Sequence, residues 1–290
     1  MKLIVGFLIV ISSVMGGYVL SHGQLLALWQ PFELLIIAGG ALGAFIVANP
    51  LKVIVPVIKG IPRLLTGSRY NRQSYLDLLT LMYEMFSKAR KEGLMALEDD
   101  VEEPENSPLF QRYPSVLADH HALEFICDYM RLMVGGSMNA MELENLMDVE
   151  LETHHEEAHL PSGAVTTVAD GLPGFGIVAA VMGVVITMSS INEPPEVLGA
   201  HIAAALVGTF LGILLAYGFV GPMASAMAHI VREDGKYLAC IKACILATLN
   251  GYTPQVAVEF GRKVIYRTER PTFLELEAFI KESRNAGSGG

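Results

Sequence analysis

Residues 197–220 read VLGAHIAAALVGTFLGILLAYGFV, 24 positions without one Asp, Glu, Lys or Arg. A run of about 20 apolar residues is what a helix needs to cross the hydrocarbon core of a bilayer, where the backbone must satisfy its own amides and carbonyls. Three more stretches share the character, at 3–20, 34–51 and 172–191. The first opens Met1-Lys2 before its apolar run but has no small-x-small cleavage pattern between Ser12 and Leu20, so it reads as a retained span and not a signal peptide. The second is limited by Pro50 and Lys52, and the apolar pattern resumes over 51–58, which predicts a helix that continues past the membrane surface. Composition agrees: of 290 residues 52% are hydrophobic and 17% charged, and the mean hydropathy is +0.44. An average soluble domain is about 25% charged.

With Lys plus Arg at 20 against 30 acidic residues, the net charge of -10 offers no basic footprint for nucleic acid. Cys127, Cys240 and Cys244 are too few for a disulfide framework and read as reduced thiols.

Four spans leave two short connections, 21–33 and 192–196, neither with a Lys or Arg. The basic residues are Lys2, ten between Lys52 and Arg131, and nine between Arg232 and Arg284. The positive-inside rule therefore puts both termini and both long segments in the cytoplasm, an orientation that rests mainly on Lys52, Lys59, Arg63, Arg69 and Arg72, a cluster suited to anionic headgroups. Residues 73–170 hold 20 acidic against five basic side chains and read as a solvated helical domain. Its apolar positions recur at helical steps: Tyr75, Leu78, Leu79, Met82, Met85 and Phe86, then Leu123, Ile126, Cys127, Met130 and Met133. Gly135-Gly136-Ser137 ends one helix, and the next runs from Met138 to Leu160. The tail predicts a helix to about Asn250, a break at Asn250-Gly251-Tyr252-Thr253-Pro254, and an amphipathic segment from Phe273 to Ile280. Gly287-Ser288-Gly289-Gly290 reads as an expression remnant.

The fold class is thus an all-α integral membrane protein. Transmembrane helices 1 and 2 lie within 1–50, a cytoplasmic helical domain within 51–170, transmembrane helices 3 and 4 within 171–222, and a cytoplasmic helical tail within 223–290.

Several motifs invite chemistry. His155-Glu156-Glu157-Ala158-His159 fits H-E-x-x-H, which sets two imidazoles on one helical face beside a carboxylate, as in zinc metalloproteases. The segment is acidic, solvated and followed by Pro161, and a catalytic zinc needs a third protein ligand and an enclosed site, so a polar surface helix is the simpler reading. Cys240-x-x-x-Cys244 reads as packing. Gly174-Phe175-Gly176-Ile177-Val178-Ala179 imitates a dinucleotide fingerprint but opens an apolar helix instead of following a strand. The glycines fit better as small-xxx-small pairs for close helix approach: Gly39 with Gly43, Gly208 with Gly212, Gly212 with Ala216.

No span carries an acidic residue inside it, so a carboxylate for ion conduction must come from a partner. The strongly polar candidates of the last two spans are Thr187, Ser189, Ser190, His201, Thr209 and Tyr217. Thr209 either bonds back to its own helix, the simpler reading, or faces a cavity. Pro173 fits a helix start, whereas Pro222 interrupts a helix continuing into the tail and makes a hinge.

Ala205-Leu206-Val207-Gly208-Thr209-Phe210-Leu211-Gly212-Ile213-Leu214 followed by Pro222 resembles the signature of the MotA family of flagellar motor stator subunits. Residues 172–183, Asn250 to Pro254, Val258 to Lys263 and Glu269 to Phe273 are similar to that family too, as is the four-span layout, so the likeness covers nearly the whole chain. The resemblance implies a proton-driven torque generator in the bacterial inner membrane, at the flagellar basal body. It implies a homo-oligomer, a pentamer in the family, around two MotB helices whose aspartate carries the proton. Pro173 and Pro222 would then couple protonation to movement and Thr209 would face the partner's aspartate, with Tyr217 on the same ion path. Ala180 stands where sodium-driven relatives carry threonine, which favours H+ as the coupling ion, with no other cofactor and no enzymatic reaction. Arg90 and Glu98 match the pair that engages the rotor protein FliG, although Lys88, Arg90, Lys91, Glu92, Glu98, Asp99 and Asp100 also read as an ordinary solvated charge run. Two alternatives stand beside this: an energiser of outer-membrane processes resembling ExbB or TolQ, and a membrane metalloprotease using His155, Glu156 and His159.

Overall fold

The computed structural model describes residues 2–136 and 138–287, so Ser137 and the terminal Ser288-Gly289-Gly290 lie outside the described residues. Among the described residues the chain is helical and without strands. In order come α1 (Lys2–Leu20), α2 (Pro31–Ala48), α3 (Leu51–Thr66), α4 (Arg72–Glu92), the short α5 (Glu98–Glu102), α6 (Pro108–Gln111) and α7 (Pro114–Leu117), then α8 (His120–Gly135) and α9 (Ala140–Ser189). Beyond a loop lie α10 (Pro195–Leu215), a π-helical turn at Ala216–Val220, α11 (Gly221–Leu249), α12 (Pro254–Val264) and α13 (Phe273–Gly287).

The boundaries have local causes. Asn71 caps α4 reciprocally with Ser74, accepting from the Ser74 amide at 3.0 Å. Asp119 caps α8 by accepting from the Ala122 amide, and Gly136 closes that helix in the left-handed conformation that only glycine adopts freely. Proline opens α2, α6, α7, α10 and α12, where its missing N–H has no helical partner to lose.

The chain divides into two compact units, Met1–Gly67 with Ala158–Ile230, and Ser68–Glu157 with Val231–Gly290. The second unit holds the larger core. Every apolar position read from helical spacing in α4 and α8 is buried there: Tyr75, Leu78, Leu79, Met82, Met85 and Phe86, and Leu123, Ile126, Cys127, Met130 and Met133. The tail completes this core through Tyr237, Cys240, Ile241, Cys244 and Ile245 of α11, Ala257 and Val258 of α12, and Leu276 and Ile280 of α13. Gly261 of α12 backs directly onto the sulfurs of Cys240 and Cys244, so these thiols are packing groups, and burial pushes the Cys240 thiol well up. Arg262 is buried and ties the tail together, donating to the Pro271 carbonyl at 2.8 Å and to Glu259.

The first unit contains α1, α2, α10 and the apolar part of α9 beyond Glu157. Four helical stretches are long and apolar enough to cross a membrane: Lys2–Leu20, Leu25–Ala48, Ala140–Ser189 and Pro195–Leu249. Much of their surface is apolar and open, as at Leu8, Ile9, Val47, Val185 and Leu206, which suits lipid better than water.

Four expectations need correction. The helix expected to run on from 34–51 past Pro50 stops at Ala48, because the residue before proline is pushed to extended backbone and Asn49 sits at φ −122°, ψ 134°. Beyond the break, α3 is a separate amphipathic helix, with Val53, Val57 and Leu64 packed against Ala164, Val165, Ala224 and Met227. Pro173 does not start a helix: it lies inside α9, which passes through Pro161 and Pro173 unbroken where a stop at Leu160 was expected. The prolines take a helical amide from the carbonyls of Glu157 and Ala169, four residues back, and α9 runs on past both. The last segment runs past Ile280 to Gly287. Finally, Glu33, counted as loop, belongs to the first turn of α2.

Candidate functional site

Within the first unit, α9 and α10 meet along a seam of small residues. A Cβ on Gly176 would lie 3.0 Å from the Gly208 carbonyl oxygen and 3.4 Å from the Thr209 Cα; one on Gly208 would lie 3.1 Å from the Ala179 Cβ and 3.5 Å from the Ala180 nitrogen. Toward the loop, a Cβ on Gly183 would meet the Ala205 Cβ at 2.7 Å; toward the other end, one on Gly212 would meet the Leu172 carbonyl oxygen at 2.8 Å. Only glycine permits this approach. The small-residue pair Gly208 and Gly212 is thus the contact surface itself. Leu172, immediately before Pro173, is buried with Ile37, Ala41, Ala179 and Ala216.

This seam brings together three residues singled out in the sequence. Pro173 and Ala180 on α9 are half-buried, as is Thr209 on α10. The expected back-bond of Thr209 is absent: its hydroxyl has no partner among the described residues, whereas Thr153, Thr166, Thr167, Thr187 and Thr248 each donate to a carbonyl one turn back. The Thr209 hydroxyl is therefore free for an outside group.

Pro222 and Tyr217 sit elsewhere, at the junction of α10 and α11, and both are exposed. Proline in a helix removes one amide and crowds the carbonyl four residues back. Here the π-helical turn absorbs the disturbance: the Gly221 amide bonds to the Ala216 carbonyl, five residues back, and the helix resumes. Phe219 of this turn lies on Phe7 of α1, ring centroids 5.0 Å apart. Pro222 thus marks a wide turn in a continuing helix.

Sequence reasoning missed Glu33. With Pro31 at the first position of α2, Glu33 falls within its first turn, where a carboxylate suits the helix dipole. That is the signal a count of uncharged residues overlooks. Its Cγ lies 3.6 Å from where a Gly208 Cβ would sit, and its Oε2 is buried without a hydrogen-bond partner. Nδ1 of His201, on α10, is buried and unpartnered too.

In the second unit, the charge run at the end of α4 separates into two kinds. Lys88 pairs with Asp100 at 2.7 Å, and Asp100 is 6% exposed and also accepts from the Ser107 hydroxyl at 2.6 Å. Arg131 donates to the Val101 carbonyl at 2.6 Å and pairs with Glu102. These contacts fix α5 against α4 and α8. Arg90, Lys91, Glu92, Glu98 and Asp99 are exposed and make no ion pair among the described residues. Arg90 also borders a cleft of about 390 Å³ with Phe86, Leu94, Met133, Leu249 and Tyr252.

The H-E-x-x-H segment lies on α9 with His155 and Glu156 exposed. Among the described residues no group of three or more His, Cys, Asp or Glu side chains is arranged to hold a metal. The neighbouring His154 instead meets His121 edge-on at 5.7 Å, and burial, with His121 beside it, holds its imidazole below the usual histidine range.

Residues 4–93 match the family model described as Motility protein A N-terminal, and residues 119–238 that of the MotA/TolQ/ExbB proton channel family. The chain is 50% identical over 285 residues to Motility protein A of Salmonella typhimurium, covering 98% of this chain and 97% of that protein. It is 38% identical over 282 residues to Chemotaxis protein LafT of Vibrio parahaemolyticus, covering 97% and 99%. The fold is that of the chain in the structure of C. jejuni MotAB, with a TM-score of 0.74 at 21% identity, covering 93% of this chain and 98% of that one.

Proposed function

The chain belongs to the Motility protein A family, and we propose from this premise that it works as the stator subunit that carries protons and generates torque in a bacterial flagellar motor. The observation that supports it most is the free Thr209 hydroxyl on a seam of α9 and α10 so close that Gly176, Gly208 and Gly212 leave no room for a side chain. A tight two-helix contact beside an unpartnered hydroxyl is what a mobile carboxylate from another chain needs: a hydrogen-bond donor at the contact, and helices that repack when its charge changes.

In this reading the four apolar helices span the inner membrane with both termini in the cytoplasm, and copies of the chain surround a MotB dimer as a pentamer. Proton arrival at the MotB aspartate and its release alter how α9 and α10 pack near Thr209, Ala180 and Pro173. The wide turn before Pro222, with Tyr217 on it, gives α10 a place to bend. Ala180 offers a methyl group at the seam, which cannot ligate sodium, and this supports H+ as the coupling ion. Work is delivered to FliG through Arg90 and Glu98, which are exposed and unpaired; such charges steer repeated encounters while each contact contributes only about 0–1 kcal/mol. No observation favours the ExbB-like or the metalloprotease reading.

The test is swimming of a stator-null strain given this chain with its MotB partner. Wild type should restore motility, Arg90→Glu with Glu98→Lys should abolish it at normal protein level, and speed at fixed pH should not depend on sodium. Failure of the wild type sinks the reading, and strict sodium dependence overturns the proton assignment.

A further inference from the structure

Among the described residues, three side chains hold a buried polar atom without any partner, and two of them, Glu33 and His201, lie on the apolar helices. Buried polar atoms are almost always satisfied, and an ionisable one inside a membrane span costs more still, so such groups are retained for what they do. Glu33 stands at the seam already described, and His201 lies on the same α10 face nearer the loop. Glu33 stands against Gly208. His201 lies four residues before Ala205 and seven before Gly208, on the same face of α10, which places it about 10 Å nearer the loop between α9 and α10 at 1.5 Å per residue. Thr209 follows Gly208 directly. From the loop inward the order of unpartnered groups is therefore the His201 imidazole, the Glu33 carboxyl and the Thr209 hydroxyl.

The surroundings isolate them. α9 carries no ionisable side chain from Leu172 to Ser189, the 3₁₀ turn Leu25–Leu28 that packs on α10 carries none, and α2 has no other. On α10 the one other ionisable side chain is Glu196, exposed in the first turn; the loop before it adds the exposed Glu193, and the π-helical turn after it adds the exposed Tyr217. α1 adds Lys2 and Tyr18 near its ends, and the loop before α2 adds the exposed His22.

Resting on the stator reading above, we propose that Glu33 and His201 are a proton uptake relay on this chain, upstream of the partner's carboxylate. A proton from water on the loop side binds the His201 imidazole or passes directly to Glu33, forming the O–H bond of a neutral carboxylic acid. That bond breaks when the proton moves on to the partner's aspartate beside Thr209, leaving the Glu33 carboxylate ready for the next. A carboxyl that alternates between acid and anion explains an oxygen with no fixed partner.

The experiment is rotation speed against external pH in stator-null cells carrying the chain with its MotB partner at matched membrane level. Glu33→Gln should slow rotation at least fivefold at every pH, Glu33→Asp should retain rotation with its pH profile shifted, and His201→Phe should change the shape of the profile. Wild-type speed and profile in Glu33→Gln overturn the proposal. Should Glu33→Gln fail to reach the membrane, an unshifted profile in Glu33→Asp overturns it equally. Failure of the wild-type chain to rotate the motor sinks the stator reading instead.

Discussion

The Leu172 carbonyl oxygen lies 2.8 Å from the position a Cβ would take on Gly212, and it belongs to the peptide bond that enters Pro173. The proline of α9 and the glycine of α10 are therefore one contact. Because the clashing atom is backbone, it cannot swing aside as a side chain end would, and Gly212→Ala must push the helices apart. Such overpacking typically costs about 1–3 kcal/mol. We expect Gly212→Ala to lose most motility and to lower the melting temperature of the purified complex. Gly199→Ala on the same helix meets nothing within 4 Å and should leave both unchanged. Equal tolerance of the two substitutions would mean that the seam does not limit function.

Asp100 and Glu98 stand two residues apart in α5, and their variants should fail differently. Asp100 is buried with Lys88 and Ser107 as partners, and Asp100→Ala strips both. Its loss should cost about 2–4 kcal/mol and reduce the amount of folded protein. Glu98 has no partner and is exposed, so Glu98→Ala should stay within about 0.5 kcal/mol of wild type. Its effect should appear in rotation speed alone. Immunoblotting of membranes beside tethered-cell rotation separates the two, and a loss of protein in Glu98→Ala would contradict the assignment.

The contrast between these neighbours marks where sequence reading stops. Hydrophobic spacing located the buried faces of α4 and α8 residue by residue, because burial there follows the helical period. Spacing could not sort Lys88 from Arg90, since both belong to one charge run and only the return of α5 decides which is paired. Pro173 was misplaced for a related reason. Proline is a strong local stop signal, yet Leu172 and its neighbours pack well enough to carry α9 through it. Glu33 escaped because a charge reads as the end of a span, while the helix start is set by Pro31. For Lys88 and Pro173 tertiary packing decided, whereas for Glu33 one local signal outranked another. The family signature in α10 was legible, as was the use of its glycines for close helix approach; that α9 is the helix they receive came only from the fold.

The H-E-x-x-H segment gives a prediction of indifference. His155 and Glu156 are exposed on α9, and no third ligand is grouped with them among the described residues. His155→Ala with Glu156→Gln should swim as wild type does, and the purified complex should carry no zinc that depends on these residues. Stoichiometric zinc lost with the double substitution would reopen the metalloprotease reading.

Arg262 supplies the last prediction. Its guanidinium bonds to the Pro271 carbonyl at 2.8 Å and to Glu259 in the preceding turn, so it joins two of the stretches, Val258 to Lys263 and Glu269 to Phe273, on which the family likeness rests. These motifs in the tail are structural. Hydrogen bonding from Arg262 holds the Glu259 carboxyl below its ordinary value, against the opposing effect of burial. A carboxyl lowered in the folded state contributes stability that is fully present above its unfolded value, about 4.3 for glutamate, and fades as pH falls through the folded one. Arg262→Gln should therefore destabilise the complex most near neutral pH, by about 2–4 kcal/mol given the buried bonds it removes. As pH falls below about 4.3, the unfolded value, its deficit should shrink, because the contribution of the Glu259 carboxylate to the wild type fades. Melting curves of wild type and variant at pH 7 and pH 3.5 test this. A deficit that is the same at both values would leave the Pro271 contact as the whole of Arg262's role.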